Sequence, residues 1–432
     1  MRERGLRVLV VGGGGREHAL VTALAASPRV ADVWCAPGNP GIAEVATPVP
    51  VAADDLPGLV EHARALAVDV VVVGPEAPLV AGLVDALSEA GIPAFGPTAA
   101  GARLEASKAW SKALMREAGL PTADFEVVST LEEADRAIDR LTGPRGVVVK
   151  ADGLAAGKGV VVAGSVDEAR ETAREWLAGG LGEAGRTLVI ERRLSGQEAS
   201  LIAVVDGTGF RAFPLARDHK ALCDGDEGPN TGGMGVVSPV TSPDGDPQVL
   251  AERVFPALLA ALRARGIVYR GVVFAGLMFT DAGPSLLEFN CRFGDPEAQV
   301  LLAGLDMDLV DLLEQALETR LDGSPVPVRP GTRVCVVAAA PGYPGTPARG
   351  QAVAGLETLA PLDGVHVFHA GTRLSAEGVL ETAGGRVLNV VGSGDSVEAA
   401  RARAYEALAG VTFAGVAPVY RRDIGLAGAG RR

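Results

Sequence analysis

The sequence predicts a multidomain α/β and α+β protein: an N-terminal doubly wound parallel sheet, a central mixed domain and a small C-terminal α+β domain. Three observations predict it. A chain of 432 residues gives material for about three domains. Up to residue 100 continuous apolar strands alternate with amphipathic helices, the pattern of a parallel sheet covered on both faces. Beyond Ser107 the alternation gives way to paired strands, and Ser324-Pro-Val-Pro-Val-Arg-Pro330 is dense enough in proline to read as a stiff linker.

In the first part, Arg7–Val11 is an apolar strand and a helix begins near Glu17. Val33–Cys35 reads as a short strand, Leu56–Leu66 as a helix, Val68–Val73 as a buried strand and Leu79–Ala90 as a helix; Ala94–Phe95 opens another strand. The second part starts with a helix, Ser107–Glu117, closed by Gly119-Leu-Pro121. Strand Phe125–Val128, helix Leu131–Leu141, strand Val147–Lys150, a glycine loop, strand Val160–Ala163, helix Val166–Trp176 and strand Leu188–Glu191 follow. Two hairpins are expected. Glu198–Val205 and Phe210–Leu215 turn at Asp206-Gly207; Val272–Phe279 and Leu286–Asn290 turn near Asp281–Pro284; the long helix Val249–Arg265 lies between them. Leu305–Leu321 reads as a helix. Past the linker come strand Arg333–Ala339, a turn at Pro341–Gly345, strands His366–Phe368 and Arg386–Val391, and helix Val397–Leu408.

With 48% hydrophobic and 22% charged residues, the chain is expected to pack cores rather than stay disordered. Cys35, Cys223, Cys291 and Cys335 form no C-x-x-C pair and fit reduced thiols in a cytoplasmic protein. A net charge of −13 weighs against broad contact with nucleic acid or anionic membrane, yet leaves room for a local basic pocket. No apolar run approaches the ~20 residues of a membrane span. The apolar start stops at Gly12, too short for a signal segment.

Only five of the 40 basic residues are lysine: Lys108, Lys112, Lys150, Lys158 and Lys220. A compact ammonium is not equivalent to a planar guanidinium, so a chain this biased toward Arg keeps Lys where Arg does not serve. Lys112 is set aside as chance retention on an amphipathic helix.

Four motifs carry chemistry. Gly12-Gly-Gly-Gly-Arg-Glu17 joins a strand to a helix, where the backbone can approach a phosphate and the helix start supplies N–H donors. Glu17 stands where a dinucleotide fingerprint needs glycine, which favours a mononucleotide-like or sugar-phosphate ligand; the alternative is a tight turn binding nothing. Lys150-Ala-Asp-Gly-Leu-Ala-Ala-Gly-Lys-Gly159 lacks the Ser or Thr and the helix of a Walker loop. It reads as a glycine loop between strands, with Lys150 and Lys158 placed for polyphosphate, or else as an ordinary hairpin. In Leu286–Arg292, Glu288 and Asn290 share one face of a strand while Phe289 faces the core. A carboxylate beside an amide oxygen suits Mg²⁺ held jointly with phosphates, and Arg292 is placed to steady a transferring phosphoryl group; an exposed polar face is the plain alternative. Asp218-His219-Lys220 and Asn230-Thr-Gly-Gly-Met-Gly235 form a polar, glycine-rich stretch, with His219 either a surface residue or a catalytic one. There is no nucleophilic triad motif, and the histidines lack metal-ligand spacing.

The Lys-bearing strand, glycine loop and strand, followed downstream by Glu-x-Asn, resemble the ATP-grasp superfamily and, more narrowly, the glycinamide ribonucleotide synthetase family. The strings that carry the resemblance are VVGGGGREHAL (10–20), APGNPG (36–41), VVGPEAPL (72–79), FGPT (95–98), KADGLAAGKGV (150–160), GPNTGGMG (228–235), LEFNCRFGDPE (287–297) and GGRVLNVV (384–391), spread over essentially the whole chain. It implies a Rossmann-like substrate domain at 1–106, an ATP-grasp domain at 107–324 with 125–195 as a mobile ATP-covering subdomain, and a C-terminal domain at 331–432. It implies that Lys108, Lys150 and Lys158, with Gly157 and Gly159, contact ATP phosphates. Glu191 with Arg192 to Leu194 would form the adenine hinge, and Glu198 would hold the ribose. Glu288 and Asn290 would hold Mg²⁺ or Mn²⁺. Gly14, Gly15, Arg16, Glu17, Asn39, Pro75 and Glu76 would line the phosphoribosylamine side. Asp218, Lys220, Asn230, Thr231, Gly232, Gly233, Arg292 and Asp295 would lie where glycine meets the acyl phosphate.

The implied activity is ligation of glycine to 5-phosphoribosylamine through glycyl phosphate, with ADP and phosphate released, in purine biosynthesis. The implied partners are these small molecules alone, with neither nucleic acid nor membrane, and a monomer or weak homodimer. Two alternatives stay open: an ATP-grasp enzyme for a different acid or amine, and a non-catalytic nucleotide sensor.

Overall fold

The structure, a computed structural model, describes residues 5–155, 159–358 and 362–426. Gly157 and Lys158, both expected at the phosphates, lie outside the described residues. The N-terminal sheet is parallel throughout, in the order Thr47–Pro48, Val30–Pro37, Leu6–Gly12, Val70–Val73, Ala94–Phe95. Its central strands are apolar on both faces because helices cover both, as the continuous valine runs require. The expected helix Leu79–Ala90 is two, Glu76–Val80 and Leu83–Glu89. The break falls at Gly82, whose φ of 90° lies outside the helical range.

The central region builds two antiparallel sheets. One runs Phe125–Val128, Leu188–Arg192, Val147–Ala151, Val160–Ala163; the other runs Phe210–Ala212, Gln197–Val205, Gly271–Thr280, Gly283–Asn290. The first sheet and its helices Leu131–Leu141 and Val166–Glu175 enclose their own core, built on Val147, Val149, Ile138 and Ile190. Thr130 and Glu133 form a capping box that starts the first of these helices. The second sheet shares a core with the N-terminal domain and the helix Pro247–Ala264.

Three expectations are corrected here. The helix placed at Leu305–Leu321 spans only Leu309–Leu317, because Asp308 caps it by accepting from Val310 N; a separate buried helix, Glu297–Ala303, precedes it. The proline-dense 324–330 stretch is not a free spacer. Val326 is buried, its N–H donates to the Ala212 carbonyl, and Val328 bridges Leu305, so the strap lies along the second sheet. The C-terminal sheet, finally, is not made by the C-terminal residues alone. Its order is Arg217–Asp218, Gly235–Ser238, Thr332–Ala339, Arg386–Gly394, Val365–His369, so two strands of the central stretch extend it.

Candidate active site

A cleft of 1160 Å³ runs between the two central sheets, and residues of the N- and C-terminal domains close one end. The helix Lys108–Glu117 lines it as well. Ser107 caps it by accepting from Trp110 N, and Asp152, at the start of the glycine loop, accepts from both Ser107 Oγ and Ala109 N. One aspartate thus locks the helix carrying Lys108 and Lys112 to the strand carrying Lys150. Glu191 sits between the two buried lysines: Lys112 Nζ is 3.0 Å from Oε2 and Lys150 Nζ is 2.9 Å from Oε1. Lys112 also donates to Thr122 Oγ1 at 2.6 Å. Burial lowers the Lys112 pKa to about 8, against the pull of Glu191. Lys112 is therefore not a chance survivor on a surface helix; it is part of the cleft wall. Arg192, Arg193 and Leu194 continue along that wall.

Glu288 and Asn290 line the cleft, and Phe289 between them is buried. A bulge at Leu287 shifts the register, so that Glu288 faces Gly276 and Leu286 faces Leu277; this leaves Leu286 in the core with Phe289. Burial pushes the Glu288 carboxyl up, but Lys220, Lys150, Lys108 and Arg292 outweigh it and hold the group below its ordinary range. No cluster of three or more His, Cys, Asp or Glu able to hold a metal exists among the described residues. One ionised carboxylate and one amide oxygen nevertheless suit a hard cation that takes its remaining oxygens from phosphate and water, the habit of Mg²⁺.

Beyond them lies a dense charge network. Lys220 Nζ is 3.6 Å from Glu198 Oε2. Burial disfavours the ammonium, but Glu198, Glu288, Asp218 and Glu297 raise its pKa. Burial and the neighbouring Glu297 push the Asp218 carboxyl well up, against Lys220 and Arg386. Glu297 is itself held by Ser200 Oγ at 2.8 Å. Arg292 donates to Glu105 at 2.8 Å and Glu76 at 3.3 Å, and Asp295 faces Arg386 at 3.4 Å. Asn230, Thr231 and Gly232 form the loop over this end, and Thr231 N donates to the Lys220 carbonyl.

The structure brings most of the sequence-derived residues to this one cleft: Arg16, Glu76, Lys108, Lys150, Gly159, Glu191, Arg192, Leu194, Glu198, Asp218, Lys220, Asn230, Thr231, Gly232, Glu288, Asn290, Arg292 and Asp295. Gly14, Gly15, Glu17, Asn39, Pro75 and Gly233 do not line it and stand behind the wall. Glu17 accepts from Gly14 N at 2.7 Å and Arg16 Nε at 2.6 Å. Asn39 Nδ2 donates to the Gly13 and His369 carbonyls. A Cβ at Gly15 would stand 2.2 Å from Asn389 Nδ2 and 2.6 Å from Gln299 Nε2, so a side chain is excluded there by close approach. His219 is neither a surface residue nor turned to the cleft: it is buried, with Nδ1 3.2 Å from the Gly235 carbonyl. Sequence reasoning missed Lys112, Glu105, Glu297, Tyr343 and Arg386. Lysine scarcity pointed to the first; Glu297 and Arg386 lie in the quoted strings, and nothing local marked the other two.

Two antiparallel sheets gripping a cleft, a lysine-bearing strand before a glycine loop and a Glu-x-Asn strand opposite it are the parts of an ATP-grasp domain. Family comparison makes this specific. Residues 6–105, 106–298 and 333–427 match the N domain, the ATP-grasp (A) domain and the C domain of phosphoribosylglycinamide synthetase. The chain belongs to this family. It is similar to the phosphoribosylamine–glycine ligase of Nostoc sp., 46% identical over 427 residues (97% of this chain, 99% of the relative). It is similar also to that of Phenylobacterium zucineum, 48% identical over 429 residues (99% and 100%). The crystal structure of phosphoribosylamine–glycine ligase from Thermotoga maritima superposes with a TM-score of 0.84 at 36% identity, covering 97% of this chain and 100% of that one.

Proposed function

We propose that the cleft carries out the reaction of this family: ATP-dependent ligation of glycine to 5-phosphoribosylamine, giving glycinamide ribonucleotide, ADP and phosphate in purine biosynthesis. The observation that carries the reading is the convergence of these groups on one cleft. Lys108, Lys112 and Lys150 with Glu191, the pair Glu288 and Asn290, and Lys220, Asp218 and Arg292 all line it, and the Glu288 carboxylate feels Lys220, Lys150, Lys108 and Arg292 together.

The chemistry runs through glycyl phosphate. A glycine carboxylate oxygen attacks the γ-phosphorus of ATP and ADP leaves; the amine nitrogen of phosphoribosylamine then attacks the acyl carbon and phosphate leaves. Lys108, Lys150 and, from the sequence, Lys158 compensate the polyphosphate charge, and Glu191 to Leu194 with Glu198 place the nucleoside. Glu288 and Asn290 would hold a divalent cation, Mg²⁺ or Mn²⁺, which would supply charge neutralisation to the phosphates. Arg292, fixed by Glu76 and Glu105, keeps its guanidinium in one orientation toward the transferring group. Lys220 and Asp218 orient glycine, and Arg16 with Glu76 faces the sugar phosphate. The separate core of the first central sheet supports its movement as a lid over ATP, which keeps water from the acyl phosphate. Four free cysteines accord with a reducing, cytoplasmic setting.

The test is ADP release with ATP, Mg²⁺, glycine and phosphoribosylamine made in situ from ribose 5-phosphate and ammonia, omitting each in turn. ADP and amide that both require glycine and the sugar amine are expected. Turnover only with another acid or amine overturns the substrates, and ATP binding without turnover would leave a nucleotide sensor.

A further inference from the structure

We propose that Tyr343 and Arg386 of the C-terminal domain are positioning residues for the acyl-transfer step, acting through the backbone of Gly232. The inference rests on the reading of the cleft given above. Gly232 N donates to Tyr343 Oη at 2.9 Å, and its carbonyl accepts from Arg386 Nη1 at 2.7 Å. The same Nη1 donates to the Asp295 carbonyl at 2.6 Å, and Nη2 faces the Asp295 carboxylate at 3.4 Å. Two consecutive peptide groups of the loop are thereby fixed to one tyrosine and one arginine, and that arginine also grips Asp295 beside the cleft.

Burial does not require this arrangement. Gly232 is exposed, so water would satisfy its N–H and C=O equally well. What the two side chains add is a fixed position for the loop, at a place where Gly232 has no side chain of its own to anchor it. The tip of the same excursion is held by the C-terminal domain as well. Arg421, fully buried, donates to Asp226 Oδ1 at 2.7 Å, and Asp423 accepts from Gly225 N at 2.9 Å. The stretch is therefore tied to the C-terminal domain both at its tip, Gly225–Asp226, and at Gly232, while Pro229, Asn230 and Thr231 between them line the cleft.

The consequence is a role in coupling rather than in nucleotide binding. A loop held over the acyl end excludes water from glycyl phosphate until the amine arrives. When it is loosened, water attacks the acyl carbon and returns glycine and phosphate, so ADP is released without amide.

The experiment compares wild type, Tyr343→Phe and Arg386→Lys for ADP and amide formed in the same reaction, with melting curves for each. Phe keeps the ring and loses the hydrogen-bond acceptor; Lys keeps charge toward Asp295 and loses the planar fork. Wild type should give one ADP per amide. Each variant should raise that ratio and lower kcat/KM for the sugar amine by roughly threefold to tenfold, the worth of one such hydrogen bond. KM for ATP and glycine-dependent ADP release should stay near wild type. Unchanged coupling in both variants overturns the inference, as does an equal fall in ADP and amide, which would mark general support of the fold. If Tyr343→Phe melts early, Arg386→Lys decides by the same criteria. A wild type without glycine-dependent ADP release removes the underlying reading itself, and that failure is distinct because it shows before any substitution.

Discussion

Lys112 Nζ and Lys150 Nζ approach opposite oxygens of one carboxylate, Glu191, at 3.0 and 2.9 Å, and all three side chains are buried. Two ammonium groups on one carboxylate leave a positive surplus at the cleft wall. Burial that lowers the Lys112 pKa to about 8 is the cost of holding it there. Lys112→Met should leave Glu191 with Lys150 alone, drawing that lysine away from phosphate. ATP affinity is expected to fall roughly tenfold and stability by about 3 kcal/mol, the scale of breaking a buried pair. Calorimetry with a non-hydrolysable ATP analogue and urea melts check this; wild-type affinity would show that the surplus charge does not serve the nucleotide.

Glu288→Gln should abolish most turnover, by roughly 100-fold, as loss of one charged stabiliser of the transferring group does. The loss should ease as Mg²⁺ is raised, because the amide still offers one oxygen. Turnover near wild type at limiting Mg²⁺ would remove Glu288 from the cation site.

Gly233 adopts φ +113°, and a Cβ there would stand 2.7 Å from both Asp218 Oδ1 and Pro296 Cδ. Gly233→Ala therefore strains the backbone and drives the loop off Asp218. The strain is of order 1–3 kcal/mol. KM for glycine should rise more than tenfold with KM for ATP little changed. Equal effects on both substrates would place Asp218 outside the glycine end.

Burial lowers the pKa of His219 to about 4, with Arg421 adding to the effect. The unfolded imidazole takes up its proton near 6.5, so below that pH the unfolded state binds more protons than the folded one. Stability therefore falls as pH drops from 6.5 to about 4 and is insensitive to this group above 6.5. At pH 5 the loss amounts to about 2 kcal/mol from this residue. His219→Gln should flatten the slope of urea midpoints between pH 7.5 and 5. Parallel slopes in parent and variant would mean that His219 protonates as readily when folded.

Local patterns carried much of this protein. Valine runs flanked by helical periods specify a parallel sheet because a strand covered on both faces must be apolar on both. Glu288 and Asn290 were legible because alternation along a strand is a two-residue rule, which the bulge at Leu287 left intact for that pair. The helix ends were less legible: Gly82 and Asp308 act through one dihedral angle and one cap, which a periodicity averaged over a dozen residues does not resolve.

The sequence by itself determined the sheet types, the glycine loop, the shared strand face of Glu288 and Asn290, and the family. Only the tertiary structure decided which charges meet. Arg292 takes Glu105 and Glu76 as partners across 187 and 216 residues, Lys112 turns inward to Glu191, and Arg386 and Tyr343 reach back to Gly232. The physical reason is that a secondary-structure period is a property of neighbours along the chain. The strength of an ion pair or a hydrogen bond depends on distance and burial, and those exist only once the domains have packed.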